Sequence, residues 1–435
     1  MKRYFSKLTL ALAVALVMSL GIAIPAFAAS GEDLTPINIA ITKELDIPAG
    51  TTVPASTFYF QFTQLMEESA GTWVPSVPAT ATLPNVSASF AAGNAGGFVD
   101  SAAPNNPVAQ ATNILAGGTW PAAGDFFFRV TEIHTAPTTQ FTAPDHMEYS
   151  TASWILIIRV ANVPNGDGTY TLVPRHAYAA LPTVGTDGTD TTYTWNEGAK
   201  VMDIEPGIPG TDGNEGRLMD PSQMRFTNVF TRDIVGSLTD PALAFSKEIT
   251  GTYADRTTMF DFNSTIVIPA AAVDRVGGTI TATVVDSSTG APVSPLREVT
   301  FSGTTTMTAS FTIGNNETLA FPTLPAGTSF AVTETQQDNW RGSVTVTVGS
   351  AAPVTVSENV GVNVASGTHI VSDEEAGGVL LGNTAAFVND YVIPPLTGLL
   401  ISSMPILAAL IAAAFILAMM VASRSRKRIE QLTVA

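Results

Sequence analysis

The chain has 435 residues and a formal net charge of −17, and only 13% of its residues are charged, against about 25% in an average soluble domain. Such an acidic chain is a poor ligand for the phosphates of nucleic acid, so no nucleic-acid partner is expected. The chain contains no cysteine, which excludes disulfides, thiolate catalysis and cysteine-bound zinc.

The first 29 residues have the pattern of a secretory signal peptide. A basic start precedes an apolar run over residues 8–24, and small residues that include Ala28 and Ala29 follow. This order of basic, apolar and small residues is typical of exported chains. We therefore predict that residues 1–29 are removed and that the rest of the chain is secreted.

The middle of the chain predicts strands rather than helices. Runs of Val, Ile, Thr and Phe are separated by clusters of Gly, Pro, Asn and Asp, which is the pattern of short strands joined by turns. The predicted strands include residues 37–45, 57–62, 126–133, 153–163, 279–285 and 343–348. A short helix is compatible with residues 62–69. Many short strands at this spacing favour β-sandwiches, so the predicted fold class is all-β.

A weak internal repeat divides the predicted strands into two tandem units. The matching stretches are residues 41–44 with 245–248, 121–132 with 325–334, and 226–228 with 387–389. Together with the chain length, the repeat predicts one domain at residues 30–236 and a second at residues 241–393. The first unit is longer, and loop insertions are expected at residues 69–118 and 164–222.

Six polar residues lie on strand faces that otherwise carry apolar side chains. Because successive side chains of a strand point to opposite faces, residues of the same parity share a face. The six residues, in chain order, are Lys43, Glu132, Asn228, Lys247, Glu334 and Asn389. Asn383 is an alternative to Asn389. Glu44 and Glu248 have the opposite parity and are expected to face solvent.

Polar groups on core faces imply unusual chemistry, because a lone buried charge must be paired, neutralised or consumed in a reaction. Burial lowers the pKa of an amine and raises that of a carboxyl. A buried Lys is then a nucleophile, and a buried Glu can hold a proton and polarise an Asn carbonyl. Attack of Lys Nζ on Asn Cγ would release ammonia and leave an isopeptide bond, with a barrier lowered by the intramolecular geometry. Simple Lys–Glu salt bridges are the alternative.

These motifs resemble the isopeptide-linkage domains of Gram-positive pilins and adhesins. Domains of that family are immunoglobulin-like β-sandwiches with a Lys on the first strand, a catalytic Glu in mid-domain and an Asn on the last strand. The resemblance implies the bonded pairs Lys43–Asn228 and Lys247–Asn389 and the catalytic residues Glu132 and Glu334. Beyond this autocatalytic step, no enzymatic activity is expected.

The C-terminus carries a second address signal. The uncharged apolar run over residues 399–422 is long enough to span a bilayer of about 30 Å. The basic tail at residues 423–435 is expected to stay in the cytoplasm, which places the bulk of the chain outside the cell.

The residues just before this run resemble the Leu-Pro-x-Thr-Gly cell-wall sorting signal of Gram-positive surface proteins. They are Pro394, Pro395, Leu396, Thr397 and Gly398, with Pro394 where Leu is usual. The resemblance implies that a sortase cleaves between Thr397 and Gly398 and transfers the Thr397 carboxyl to an amine. The apolar helix is then a transient membrane anchor. An ordinary membrane anchor is the alternative.

Lysine is rare in this chain, at positions 2, 7, 43, 200, 247 and 427 only. Residues 30–397 contain 13 basic and 36 acidic residues, a formal charge of −23. Lys200 is the one lysine of this exported part that has no assigned bond. It is therefore a candidate for the amine that joins neighbouring pilin subunits, and a plain surface lysine is the alternative.

The remaining polar residues predict neither a metal site nor a cofactor site. Four histidines, at positions 134, 146, 176 and 369, have no metal-ligand spacing. The predicted function is that of a structural, cell-wall-anchored surface protein, a pilin subunit linked through Thr397. A monomeric wall-anchored adhesin or stalk is the alternative. The expected partners are a sortase, peptidoglycan or neighbouring pilin subunits, with a host or surface ligand as a further candidate.

Overall fold

The computed structural model describes residues 39–69, 71–93, 98–99, 106–187, 190–195, 202–204, 224–392 and 396–433. Within these ranges the chain forms 29 strands, so the predicted all-β class is confirmed. The predicted signal peptide lies outside the described residues. The helical segments are a 3-10 turn at Ala270–Ala272, a single α-turn at Val273–Val276 and a long C-terminal helix at Leu396–Thr433.

The first unit contains strands β1 to β14. Their bounds are β1 Ile41–Asp46, β2 Ser56–Ser69, β3 Thr72–Pro75, β4 Val86–Phe90, β5 Phe98–Val99, β6 Pro107–Ala111, β7 Gly124–Ile133, β8 Asp145–Glu148, β9 Ser153–Pro164, β10 Tyr170–Ala180, β11 Thr183–Asp187, β12 Asp190–Thr194, β13 Met202–Ile204 and β14 Arg225–Val235.

The second unit contains strands β15 to β29. Their bounds are β15 Leu243–Thr250, β16 Met259–Val267, β17 Thr279–Asp286, β18 Glu298–Gly303, β19 Thr306–Gly314, β20 Glu317–Phe321, β21 Thr323–Pro325, β22 Ser329–Thr335, β23 Trp340–Val348, β24 Val354–Ser357, β25 Val364–Ala365, β26 His369–Ile370, β27 Glu375–Ala376, β28 Val379–Leu380 and β29 Asn383–Tyr391.

The strands of the first unit form two facing sheets. The smaller sheet has the order β21-β14-β1-β6-β5, with β8 also beside β14. The larger sheet has the order β11-β12-β3-β2-β7-β9-β10-β13, with β4 also beside β2. Apolar side chains of alternating positions fill the space between the sheets, among them Phe58, Phe60 and Phe226, as expected for a sandwich.

The second unit folds one continuous sheet over on itself. The order is β24-β23-β29-β15-β20-β17-β18-β19-β16-β22-β25. At the fold, β18 and β19 pair over only Ser302–Thr308 and Gly303–Met307. Rings from the two layers meet in the core, where the Phe262 and Phe387 centroids are 5.1 Å apart. The layers therefore pack as a sandwich, although hydrogen bonds connect them along one edge.

Two expectations about the first unit were wrong. The residues expected as loop insertions contain eight described strands, β3 to β6 and β10 to β13. Residues 62–69 are strand rather than helix, because they continue β2 and pair with β7 and β3. In both cases strands distant in the sequence supply the backbone hydrogen bonds. The composition of a short stretch therefore does not predict its conformation.

The C-terminal helix carries the predicted membrane span. Pro405–Arg424 is long and apolar enough to cross a bilayer, and none of it is buried against the rest of the described chain. The predicted span, residues 399–422, overlaps this segment over most of its length.

Candidate functional site

The first polar cluster comprises Lys43, Glu132 and Asn228. Strands β1 and β14 are parallel neighbours in which Lys43 lies opposite Phe226 and Asn228 lies opposite Leu45. The two polar residues are therefore two positions apart in register and share a face of the sheet. Glu132 comes from β7 in the facing sheet, so the cluster bridges the two layers.

The second polar cluster comprises Lys247, Glu334 and Asn389 and repeats this geometry. Strands β15 and β29 are parallel, with Lys247 opposite Phe387 and Asn389 opposite Ile249. The offset is again two positions. Glu334 comes from β22 in the facing layer. The same register, built twice from different sequence, shows that the arrangement is a property of the repeat.

All six residues are removed from solvent. Their exposed fractions are 0% for Lys43, Asn228, Glu334 and Asn389, 2% for Lys247 and 5% for Glu132. Parity alone therefore predicted the burial of each of these side chains correctly, and the isopeptide roles assigned to them stay predictions.

Hydrogen bonds connect the first cluster in a chain. Lys43 Nζ donates to Glu132 Oε2 at 2.9 Å, and Asn228 Nδ2 donates to Glu132 Oε1 at 2.9 Å. The backbone N–H of Ser150 donates to Asn228 Oδ1 at 2.7 Å. Each carboxylate oxygen of Glu132 therefore accepts from one of the other two side chains, and the amide carbonyl of Asn228 has its own donor.

In the second cluster one carboxylate oxygen serves both partners. Lys247 Nζ donates to Glu334 Oε1 at 2.7 Å and Asn389 Nδ2 donates to the same atom at 2.5 Å. Glu334 Oε2 is buried without a hydrogen-bond partner among the described residues. The Asn389 Oδ1 atom accepts from Gln336 Nε2 at 3.0 Å. The donor to the amide carbonyl is thus a side chain here and a main-chain group in the first cluster.

Burial dominates the electrostatics of both lysines. Desolvation lowers the pKa of Lys43 and of Lys247 to about 8, although the neighbouring carboxylates act in the opposite direction. Lys43 Nζ lies 4.8 Å from the Phe58 ring centroid and Lys247 Nζ lies 4.3 Å from that of Phe260. Burial also raises the pKa of the Glu334 carboxyl. A neutral amine is therefore accessible in each cluster near neutral pH.

The arrangement differs in one respect from the expected chemistry. We expected each Glu to hydrogen-bond the Asn carbonyl, but in both clusters it accepts from the amide nitrogen. That nitrogen is the leaving group in an attack on Cγ. The carboxylate is therefore placed to take a proton from lysine and deliver it to the departing ammonia.

Asn383, the alternative to Asn389, has a different environment. Its Nδ2 donates to the carbonyls of Ala242 and Ser372, and its Oδ1 accepts from the Ser372 N–H. These bonds tie a loop to the start of β29. They engage the amide fully with backbone groups, whereas Asn389 contacts Glu334.

The prediction that Glu44 faces solvent was wrong. Glu44 is 5% exposed and accepts hydrogen bonds from Arg225, Thr227 and Asn106. Strand β14 and the residue just before β6 supply these partners, because β1 lies between β14 and β6 in its sheet. Glu248 is exposed, as predicted.

Several sites predicted from sequence lie wholly or partly outside the described residues. Lys200, Pro394 and Pro395 are among them. The backbone of Leu396, Thr397 and Gly398 forms the start of the C-terminal helix. The sorting motif and the candidate polymerisation lysine therefore stay predictions from sequence.

Four residues next to the clusters were not found from the sequence. Phe58 and Phe260, which contact the lysines, precede Phe60 and Phe262 in two similar Phe-x-Phe stretches, so the repeat contained a signal for them. Ser150 has no counterpart signal because its backbone, not its side chain, contacts the cluster. Gln336 is two positions after Glu334 and therefore has the same strand parity, but it is not part of the Lys–Glu–Asn pattern.

Comparisons with known proteins give one family and several similar structures. A protein-family model described as a domain of unknown function (DUF7601) matches residues 241–391. No curated protein matches the chain. The solved structures include the major pilin of Streptococcus pyogenes, at 17% identity and a TM-score of 0.30, over 83% of this chain and 100% of the pilin chain.

Two further similar structures are another major pilin of Streptococcus pyogenes and a pilus-presented adhesin. The T-13 major pilin is 15% identical over 82% of this chain and 98% of its own, with a TM-score of 0.27. The pilus-presented adhesin Spy0125 (Cpa) is 11% identical over 81% of this chain and 100% of its own, with a TM-score of 0.21. The expected resemblance to pilus proteins is therefore found, at low identity and low TM-score.

Proposed function

We propose that the chain is a structural cell-surface protein, a pilus subunit in which each unit closes a Lys–Asn isopeptide bond. The observation that carries the proposal is the duplicated cluster. Each buried lysine lies beside a buried carboxylate that also holds the asparagine amide, with the same strand register in both units. Two such clusters would be costly as plain buried ion pairs, and the reaction removes the charge that makes them costly.

The bond-forming step follows from the contacts. Glu132 accepts a proton from Lys43, and the free electron pair on Nζ attacks Asn228 Cγ while the carbonyl electrons move to Oδ1. Glu132 passes this proton to Nδ2 and takes a second proton from the positively charged Nζ of the tetrahedral intermediate. The intermediate then collapses as the carbonyl re-forms and the Cγ–Nδ2 bond breaks, and Glu132 is left in its protonated, neutral form. Ammonia leaves and an amide joins the two side chains. Lys247, Glu334 and Asn389 follow the same sequence.

The bonds would change how the protein carries load. Each would join the first strand of a unit to its last strand, and those two strands lie side by side. Tension that enters at one end of the unit and leaves at the other would pass directly between them. The sandwich between would not need to unzip, which suits a protein held at the cell surface.

Surface attachment is proposed from the two ends of the chain. The signal-peptide pattern directs export, and the apolar helix at Pro405–Arg424 is followed by a basic tail. The Pro-Leu-Thr-Gly residues before this apolar span are the proposed sortase substrate, with Thr397 as the acyl group transferred to peptidoglycan or to another subunit.

Intact mass of the recombinant fragment of residues 30–393 tests the central claim. The expected mass is lower than that of the unmodified sequence by two molecules of ammonia. Glu132→Ala and Glu334→Ala should each reduce the deficit to one, because each removes one proton carrier. A full, unmodified mass for the wild-type fragment contradicts the proposal.

Polymerisation is a separate question from the internal bonds. If Lys200 is the acceptor amine, cells should yield a ladder of multimers that resist sodium dodecyl sulfate, and Lys200→Ala should abolish it. A single wall-linked band in the wild type would instead indicate a monomeric adhesin or stalk. Lys200→Arg is the matched control, since it keeps the charge and removes the nucleophile.

A further inference from the structure

The hydrogen bonds to the two reacting carbonyls come from groups that no part of the Lys–Glu–Asn pattern includes. In the first cluster the donor to Asn228 Oδ1 is the backbone N–H of Ser150. In the second, the donor to Asn389 Oδ1 is Nε2 of Gln336. Glu132 and Glu334 contact only the amide nitrogens of these asparagines, so the carbonyl oxygens depend on these other donors.

The orientation of the Asn228 amide is fixed by its backbone partner. A backbone N–H can only donate, so the group that Ser150 meets on Asn228 must be the carbonyl oxygen. The carboxylate of Glu132 lies on the opposite side and accepts from the nitrogen. The second cluster has the same orientation, with Gln336 in the place of the main-chain donor.

Gln336 makes this contact at the expense of its own carbonyl. Its Oε1 atom is buried and has no hydrogen-bond partner in the described part of the chain. A buried, unsatisfied acceptor is destabilising, and a glutamine turned the other way would place two oxygens against each other. The side chain is therefore held with its donor towards the reacting carbonyl and its acceptor unpaired.

We propose that Gln336 in the second unit, and the Ser150 N–H in the first, stabilise the oxyanion that forms on Asn Oδ1 during isopeptide formation. The inference rests on the proposed function, because it assigns a role within that reaction. When Nζ attacks Cγ, the electron pair of the C=O bond moves to Oδ1, and the donor that already faces this atom strengthens its hydrogen bond. Gln336 is then a catalytic residue, since it touches a reacting atom.

The two units should respond differently to substitution. The donor of the first unit is main chain, so Ser150→Ala keeps it and should leave the rate of that bond unchanged. The donor of the second unit is a side chain, so Gln336→Met removes it while preserving most of the shape. Loss of one such donor slows related reactions by about 100-fold to 1,000-fold. Only the Lys247–Asn389 bond should slow.

A refolding time course of the full chain measures both bonds at once. The chain is unfolded in denaturant before it has reacted and is then diluted into detergent micelles. Tryptophan fluorescence follows folding, and mass spectrometry of digests follows the Lys43–Asn228 and Lys247–Asn389 peptides separately. Gln337→Met is the matched control, because the Gln337 side chain donates to the Met259 carbonyl instead.

The expected result is normal folding of Gln336→Met, a normal first bond and a second bond slowed by about 100-fold, with Gln337→Met unchanged. A folded Gln336→Met or Gln336→Leu chain that closes its second bond at the wild-type rate overturns the inference. Failure of both variants to fold also overturns it, since Gln336 would then have a structural role. If the wild-type chain forms neither bond, the proposed function itself fails, which is a different outcome.

Discussion

At each buried lysine, desolvation outweighs the attraction of the neighbouring carboxylate. Lys43 and Lys247 both have a pKa lowered to about 8, against about 10.4 in an unfolded chain. In the proposed reaction the reactive form is a neutral amine beside a protonated carboxyl, which holds the same number of protons as the ion pair. Loss of that shared proton above the lowered lysine pKa would therefore set the pH above which the reaction slows.

We expect the rate of isopeptide formation in the refolding chain to be independent of pH just below about pH 8 and to fall about tenfold per pH unit above it. The physical reason is that each lysine and its glutamate share the proton that the leaving nitrogen needs, and this proton is lost above the lowered lysine pKa. The measurement is the mass-loss rate from about pH 7 to about pH 10. A rate that stays constant to about pH 10 would show that the lysines keep their ordinary pKa.

Glu44 and Glu248 provide a second test at the scale of single residues. Glu44→Ala removes a buried acceptor and leaves Arg225 and Thr227 without it, so the free energy of unfolding of the first unit should fall by about 1–3 kcal/mol. Glu248→Ala, at the repeat-equivalent exposed position, should change that of the second unit by less than about 0.5 kcal/mol. Denaturant unfolding measures both, and equal effects would contradict the burial of Glu44.

These residues also show which features of the site can be predicted from the sequence. Parity predicted burial for Lys43 and Lys247 because it needs only the strand and its apolar neighbours. It failed for Glu44, since that side chain is enclosed by partners on neighbouring strands. The donors to the asparagine carbonyls could not be predicted for the same reason. The contacts of Ser150 and Gln336 with these carbonyls depend on the tertiary structure and not on a local sequence pattern.

At the scale of elements, the parallel contact of first and last strands defines each unit. Strands with strong alternation, such as β7 and β17, could be predicted from sequence because each has one face in the core. Strands such as β10 to β13 could not, because their pairing partners rather than their composition decide their conformation. The parallel pairs β1–β14 and β15–β29 likewise follow from topology alone.

Loss of one proposed isopeptide bond should lower the stability of only the unit that contains it. Asn228→Ala removes the proposed partner of Lys43 in a covalent bond between β1 and β14 but leaves the Lys43–Glu132 pair. If that bond forms, the first unit should lose about 5 kcal/mol of unfolding free energy, the loop-closure value for a long loop. Asn389→Ala should do the same to the second unit. Denaturant unfolding, followed by hydrogen exchange of each unit, measures the two effects. A first unit of unchanged stability in Asn228→Ala would show that no covalent bond links its strands.

At the scale of the whole molecule, the two units are joined by more than the connecting chain. Strand β21 of the second unit pairs antiparallel with β14 of the first over Asp233–Pro325, Ile234–Leu324 and Val235–Thr323. An ion pair also crosses the junction, where Arg275 Nη2 lies 2.8 Å from Asp233 Oδ1. Strand pairing and ion pairs therefore connect the two units across the junction.

Arg232 is the centre of this junction. Its guanidinium donates to Asp145 of the first unit at 2.5 Å and to Asp373 of the second at 3.2 Å. Asp373 is 4% exposed and also accepts from the Thr52 N–H at 2.8 Å. Burial raises the pKa of Asp373 in spite of the arginine. A buried carboxyl is thus held between the units and depends on Arg232 for its only cationic partner among the described residues.

Arg232→Met should weaken the junction while it preserves the apolar stem of the side chain. We expect a loss of about 1–3 kcal/mol of unfolding free energy and a broader distribution of distances between the units in small-angle X-ray scattering. Arg159→Met is the matched control, because Arg159 pairs with Asp125 on the surface of one unit and such pairs contribute less than about 1 kcal/mol. If the scattering of Arg232→Met matches that of the control, strand pairing alone fixes the units, and the arginine is dispensable for their alignment.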